Sequence, residues 1–166
     1  MKTGCALKVS SGSHTPSPIV TDPEVLARPG TDTGALLRAG ATTVLWVNAS
    51  GGRLAIELGR ALEMFPPGCT LVVEGNSALE HLDADFSVFV MGVPFSDFKP
   101  SAEQALSKAD LVLVDLRWQL RGNDPASIER ELAERAPGAK VICYSDAEGF
   151  EETLQKTAQM ARKELE

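Results

Sequence analysis

Six short apolar runs decide most of what this chain can fold into: Cys5–Val9, Thr43–Val47, Thr70–Val73, Phe86–Val90, Leu111–Val114 and Lys140–Tyr144. They are rich in β-branched residues and apolar almost throughout, with no regular polar alternation. Strands of that kind are covered on both faces, as in a mostly parallel sheet lying between helices. The direction of Thr43–Val47 is left open, because only a short turn and helix precede it.

The intervening segments read as helices. Leu54, Leu58, Ala61, Leu62 and Phe65 hold one helical face, with Ser50 as candidate cap and Pro66-Pro67 as the stop. Asp124-Pro125 opens a second helix that turns Ile128 and Leu132 inward and ends at Pro137-Gly138. Phe150, Leu154, Ala158, Ala161 and Leu165 recur at helical spacing near the C-terminus, and Arg162 and Lys163 suit the negative end of that helix dipole. Shorter helices are expected over Asp32–Ala39, closed by Gly40, and over Ser101–Lys108, opened by Pro100. Repeated strand-then-helix order predicts a three-layer α/β fold with helices on both faces of the sheet. Residues 10–30 break the rhythm. Four of the ten prolines fall there, so a long mobile loop is expected.

A chain of 166 residues suits one domain. Its net charge of −7, with no clustered cations, argues against a nucleic-acid footprint. Cys5, Cys69 and Cys143 are widely spaced and never form C-x-x-C, so they read as reduced thiols rather than metal ligands. No apolar stretch is long enough for a membrane span, and the polar N-terminus does not read as a signal peptide. A cytoplasmic location, with no membrane partner, is the expectation.

Ligands of open α/β sheets bind beyond the carboxyl ends of the strands. The polar residues there are Lys8 and Ser10, Asn48, Glu74-Gly75-Asn76, Asp97 and Lys99 in the loop after the fourth strand, Asp115, and Ser145-Asp146. Carboxylates gathered on one edge suit Mg²⁺, which takes one or two of them together with phosphate oxygens. Ser145 and Asp146 also fit an ordinary helix cap. Glu74 does not reduce to packing, since it follows an apolar strand directly and precedes a glycine. His14 in the proline-rich stretch and His81 in a polar turn both read as surface histidines. The turn NASGGRL (Asn48–Leu54) could offer backbone N–H groups to an anion, although a plain turn and cap explains it as well.

The order of these motifs resembles a known family. LVVEGNSAL (Leu71–Leu79) is similar to the Walker-B strand and loop of metal-insertion and molybdenum-cofactor accessory GTPases. Val88–Asp115 resembles their sequel of strand, Lys-Pro loop, helix and the strand that normally ends in N-K-x-D. VICYSDAEG (Val141–Gly149) sits where such proteins keep the loop that closes over guanine. Upstream, ALKVSSGSH and PGTDTGALLRAGA (Pro29–Ala41) resemble the molybdopterin-guanine dinucleotide biosynthesis adaptor proteins.

The resemblance implies a P-loop NTPase-like fold and GTP with Mg²⁺ as ligands. It implies Glu74 as the catalytic residue, Asp32 and Glu74 on the metal side acting through water, and Asp115 and Ser145 flanking the base. Lys8, Asn76, Lys99 and Asp146 complete the implied nucleotide-binding set. Yet G-x-x-x-x-G-K-[ST] is absent, and N-K-x-D is replaced by VDLRW (Val114–Trp118). On this resemblance the chain is expected to begin at the family's second strand, so GTP and Mg²⁺ are expected to bind weakly, or only with an upstream phosphate-loop segment. An accessory role in molybdenum-cofactor or metal-centre assembly follows, with a cofactor-assembly protein as partner. The alternatives are a non-catalytic protein-binding adaptor and a small α/β enzyme centred on Glu74 and Asp115. A missing strand and helix would leave a sheet edge exposed, so a homo-oligomer is expected.

Overall fold

The computed structural model of the chain describes residues 4–12, 17–92, 98–117 and 125–164. His14, Asp97, the Asp124 cap and Leu165 lie outside the described residues. The fold is α/β, and all six expected strands form. Its contacts divide into two compact units, Met1–His81 and Leu82–Glu166, where length alone suggests one domain. Each unit carries its own hydrogen-bonded sheet.

The first unit contains β1 (Gly4–Ser10), β2 (Ile19–Val20), α1 (Pro23–Leu26), α2 (Asp32–Arg38), β3 (Thr43–Asn48), α3 (Gly52–Glu63), β4 (Thr70–Glu74) and a 3-10 turn, Asn76–Glu80. Its sheet order is β2-β3-β1-β4. β1 is central and runs parallel to both β3 and β4, which settles the direction of the Thr43–Val47 strand. Only β2 is antiparallel, placing Ile19 beside Val47 and Val20 beside Trp46. The stretch expected to be a loop therefore holds structure. Asp22 accepts a hydrogen bond from the Glu24 amide and Pro23 pre-sets the first turn, which is enough to nucleate α1.

Register explains the packing. Ala6, Val44 and Val72 share one face, and α2 covers that face over β1 and β3 through Leu36 and Leu37. Its cover stops short of β4, leaving Val72 55% exposed. On the opposite face Leu7, Leu45 and Val47 are buried, and α3 packs against β3 with Leu54, Leu58 and Ala61 inward. The cap of α3 is Gly51, not Ser50, because the chain turns there at φ 58°, a conformation glycine tolerates.

The second unit contains β5 (Val88–Gly92), α4 (Pro100–Ser107), β6 (Leu111–Asp115), α5 (Pro125–Arg135), β7 (Lys140–Tyr144) and α6 (Ala147–Glu164). Its sheet runs β5-β6-β7, parallel throughout. Asp110 aligns the start of β5, accepting hydrogen bonds from the Ser87 amide and hydroxyl, both at 2.7 Å. Leu111, Leu113 and Tyr144 form a core with Ile142, Phe150 and Met160. Val88 and Val90 lie in register with Leu111 and Leu113 but remain exposed, because α6 packs on β7. The buried position of α6 is Thr153, whereas Leu154 is 42% exposed. The inward stripe thus runs one residue earlier than the apolar pattern implies, tilted by the Phe150–Tyr144 ring contact. Among the described residues no helix is long and apolar enough to cross a membrane.

Candidate functional site

Lys8 sits near the carboxyl end of β1, in register with Trp46 on β3 and Glu74 on β4. All three side chains share the face covered by α2. Thr31 caps that helix by accepting from the Gly34 amide at 3.1 Å, and this fixes Asp32 in the first turn. The Lys8 ammonium, 18% exposed, pairs with Asp32 at 2.8 Å and also with Glu74. Three residues nominated separately thereby meet on one nitrogen.

Electrostatics holds the cluster together. Burial works against the Lys8 charge, but hydrogen bonds and attraction from Asp32 and Glu74 outweigh it, and its pKa lies above the ordinary lysine value. Its contribution to stability is therefore present through neutral pH and is lost only as pH rises through that elevated value.

Around the cluster, the Trp46 indole donates to the Ser10 hydroxyl at 2.8 Å, and Ser10 donates to the Asn48 side chain at 3.2 Å. The Ser11 and Ser77 hydroxyls share a hydrogen bond of 3.0 Å. Gly75 follows Glu74 at φ 133°, where an added Cβ would collide with the Val9 carbonyl, and β4 gives way to the 3-10 segment. Asn76 opens that segment and is exposed.

Two carboxylates converging on one cationic nitrogen present the donor chemistry that Mg²⁺ uses when phosphate oxygens complete its shell. Asp32 and Glu74 would hold such an ion, which would supply charge neutralisation to a phosphate group. The Lys8 ammonium occupies the same position and competes for it. No cluster of three or more His, Cys, Asp or Glu side chains suited to a metal occurs among the described residues.

The second unit gathers the implied base-side residues differently. Asp115 ends β6 and both its oxygens accept from Arg117: Oδ1 from the amide and from Nε, each at 3.0 Å, and Oδ2 from Nη2 at 2.6 Å and from Nε at 3.2 Å. The Arg117 guanidinium also lies over the Tyr144 and Phe150 rings, 5.4 and 5.0 Å from their centroids. Arg117 thus occupies both oxygens of the Asp115 carboxylate. Asp146 accepts from the Gly149 amide at 2.7 Å, the helix-cap alternative for this residue. Ser145 is exposed between β7 and α6, and Lys99 is exposed where the chain enters α4.

The side-chain hydrogen bonds from Arg117 hold the Asp115 carboxyl below its ordinary pKa, against an upward push from burial. A depressed carboxyl stabilises the fold above the unfolded value of about 3.9, and that contribution fades as pH falls through the folded value. Urea midpoints of wild type and Asp115→Asn should differ by a constant amount from about pH 5 to 7 and converge below about pH 4. A gap that persists unchanged into strong acid would contradict the pairing.

Two features escape sequence reasoning. Glu57 is 2% exposed on the inner side of α3, paired with Arg60 at 3.3 Å and Arg53 at 3.7 Å. Its spacing from Leu54 and Leu58 was the available signal. Burial raises the Cys5 thiol pKa, and the Cys69 thiol, distant in sequence, adds to the rise. Comparisons with protein-family models, with curated proteins and with solved structures returned no match.

Proposed function

We propose that this chain is an accessory protein of molybdenum-cofactor or metal-centre assembly, built on a three-layer, P-loop-type α/β fold whose phosphate-loop motif its sequence lacks. The observation that carries this reading is the meeting of Lys8, Asp32 and Glu74 at the carboxyl ends of β1 and β4. The resemblance assigns Asp32 and Glu74 to the metal side of a nucleotide site and Lys8 to its nucleotide-binding set. In this reading Asp32 and Glu74 engage Mg²⁺ through water, and Glu74 orients the water near the phosphate.

Phosphoryl transfer depends on positioning and charge stabilisation, supplied mainly by the backbone cradle, the phosphate lysine and the Mg²⁺-binding hydroxyl. None of the three is encoded here. The chain should therefore show no GTP turnover, and calorimetric titration with Mg-GTP should give a dissociation constant in the high micromolar range or weaker, roughly −5 kcal/mol or less favourable. Turnover that survives repurification and disappears in Glu74→Gln would overturn this.

A second reading, a non-catalytic protein-binding adaptor, draws on a different observation. Among the described residues nothing pairs with the second edge of β4 or of β5, and Val72 on β4 and Val88 and Val90 on β5 are exposed. Apolar edges of this kind accept another chain. Self-association follows from the same feature, so light scattering at tens of micromolar should report a homodimer or larger; a monomer mass would count against it.

A further inference from the structure

The stretch from Arg28 to Ala41, which carries α2, is anchored at both ends and lightly held between them. Leu26 is buried just before it, and just after it the Thr42 amide and hydroxyl donate to the Gly4 carbonyl at 2.8 and 3.0 Å. The stretch keeps its own shape. The Thr31 hydroxyl donates to the Arg28 carbonyl at 2.7 Å while it caps the helix, and the Ala39, Gly40 and Ala41 amides bond back to Ala35, Leu37 and Leu36. Leu36, Leu37 and Ala41 pack on the core of Ala6, Leu26 and Val44, yet none of the three is fully buried. Beyond them, toward β4, lies an unfilled apolar groove of about 190 Å³ bordered by Ala6, Leu36, Ala41 and Val72. The Lys8–Asp32 ion pair, at 2.8 Å, ties the start of α2 to β1. Elements with so little buried apolar contact open locally, well short of global unfolding.

We propose that residues 28–41 form a strap that opens from the sheet as a unit, and that the Lys8–Asp32 ion pair is the latch holding it shut. Asp32 rides on the strap, whereas Glu74 is fixed on β4, so the two carboxylates converge only when the strap is closed. Opening parts them and uncovers Trp46, which packs on the same core as Leu36 and Leu37. The open state is the entry route to the cation position. A divalent ion that then settles between Asp32 and Glu74 displaces the Lys8 ammonium and takes over the latch. This gating role rests on the nucleotide reading above, whereas the latch stands on the ion pair and the packing alone.

The test is native-state hydrogen exchange on the full chain without metal or nucleotide, so a failed latch and a failed nucleotide site are told apart. In wild type the Ala39, Gly40 and Ala41 amides should exchange faster than the β1 amides. Their rates should barely respond to low urea, whereas β1 exchange should rise steeply, because only global unfolding exposes much surface. Lys8→Met should speed exchange at the three strap amides about threefold, the worth of one partly exposed ion pair, and keep it insensitive to urea. Asp32→Asn should speed it too, and Lys8→Met should add nothing further at these amides in the Asp32→Asn background. Equal urea dependence of strap and β1 amides in wild type would overturn the proposal. Strap rates that Lys8→Met leaves unchanged, or raises equally with and without Asp32, would overturn it as well.

Discussion

Gly75→Ala is expected to cost roughly 3 kcal/mol or more of folding stability, since it combines backbone strain with a steric clash. At φ 133° an L side chain is strained whatever the surrounding space, and an added Cβ would fall 2.2 Å from the Val9 carbonyl oxygen. That oxygen belongs to β1, the central strand of its sheet, so it cannot retreat without disturbing pairing on both sides. Glu74 immediately precedes this turn, so its ion pair with Lys8 should weaken with the fold. The informative control is Gly59→Ala. Gly59 lies within α3 with nothing within 4 Å of a Cβ, and alanine there should stabilise by about 0.5–1 kcal/mol through helix propensity. Urea unfolding of both variants checks the pair. A Gly75→Ala protein within about 1 kcal/mol of wild type would show that the turn is not held as described.

Lys8→Gln should have the largest effect on ligand binding. It removes the ammonium from between Asp32 and Glu74 and leaves two carboxylates converging on a vacated cation position. Each lost pair is partly exposed and contributes about 0.5–1 kcal/mol, so the competition that an incoming divalent ion must overcome falls by about one decade in affinity. Mn²⁺ titration followed by electron paramagnetic resonance should show about tenfold tighter binding than wild type. Glu74→Gln added to Lys8→Gln should cancel most of the gain. Unchanged or weaker Mn²⁺ binding by Lys8→Gln would mean that the lysine serves only to hold the strands and the helix together.

Much of this architecture is legible in the residues. The strands announced themselves because parallel strands covered on both faces have no polar period to hide them, and β6, buried at four successive positions, is the clearest case. Lys8 and Glu74 were nominated because strand-end chemistry in an α/β sheet follows topology, which needs no distances, whereas Asp32 came from the family resemblance alone. What stayed hidden depended on register or on a single competing contact. That Cys5 faces Leu71, two residues on from Cys69, follows only once β1 and β4 are aligned to the residue. Asp115 reads as a ligand-facing acid until Arg117, two residues on, folds back over it. Leu154 looked inward by hydropathy, yet with Phe150 in a tilted contact against Tyr144 it is Thr153 that is buried. The short β2 and α1 rested on one aspartate cap and one proline, too little signal to separate from a loop.

In the function proposed above, the carboxyl ends of β1 and β4, with Asp32, form the metal side of a weak nucleotide site. Paramagnetic broadening of backbone amide resonances by Mn-GTP tests it most directly, because it reports proximity to the ion even when affinity is poor. The account predicts selective broadening of the Lys8, Asp32 and Gly75 amides with Mn-GTP, much reduced in Asp32→Asn and in Glu74→Gln. Broadening that is absent from these three amides, or spread evenly over exposed acids such as Glu63 and Glu152, would contradict it.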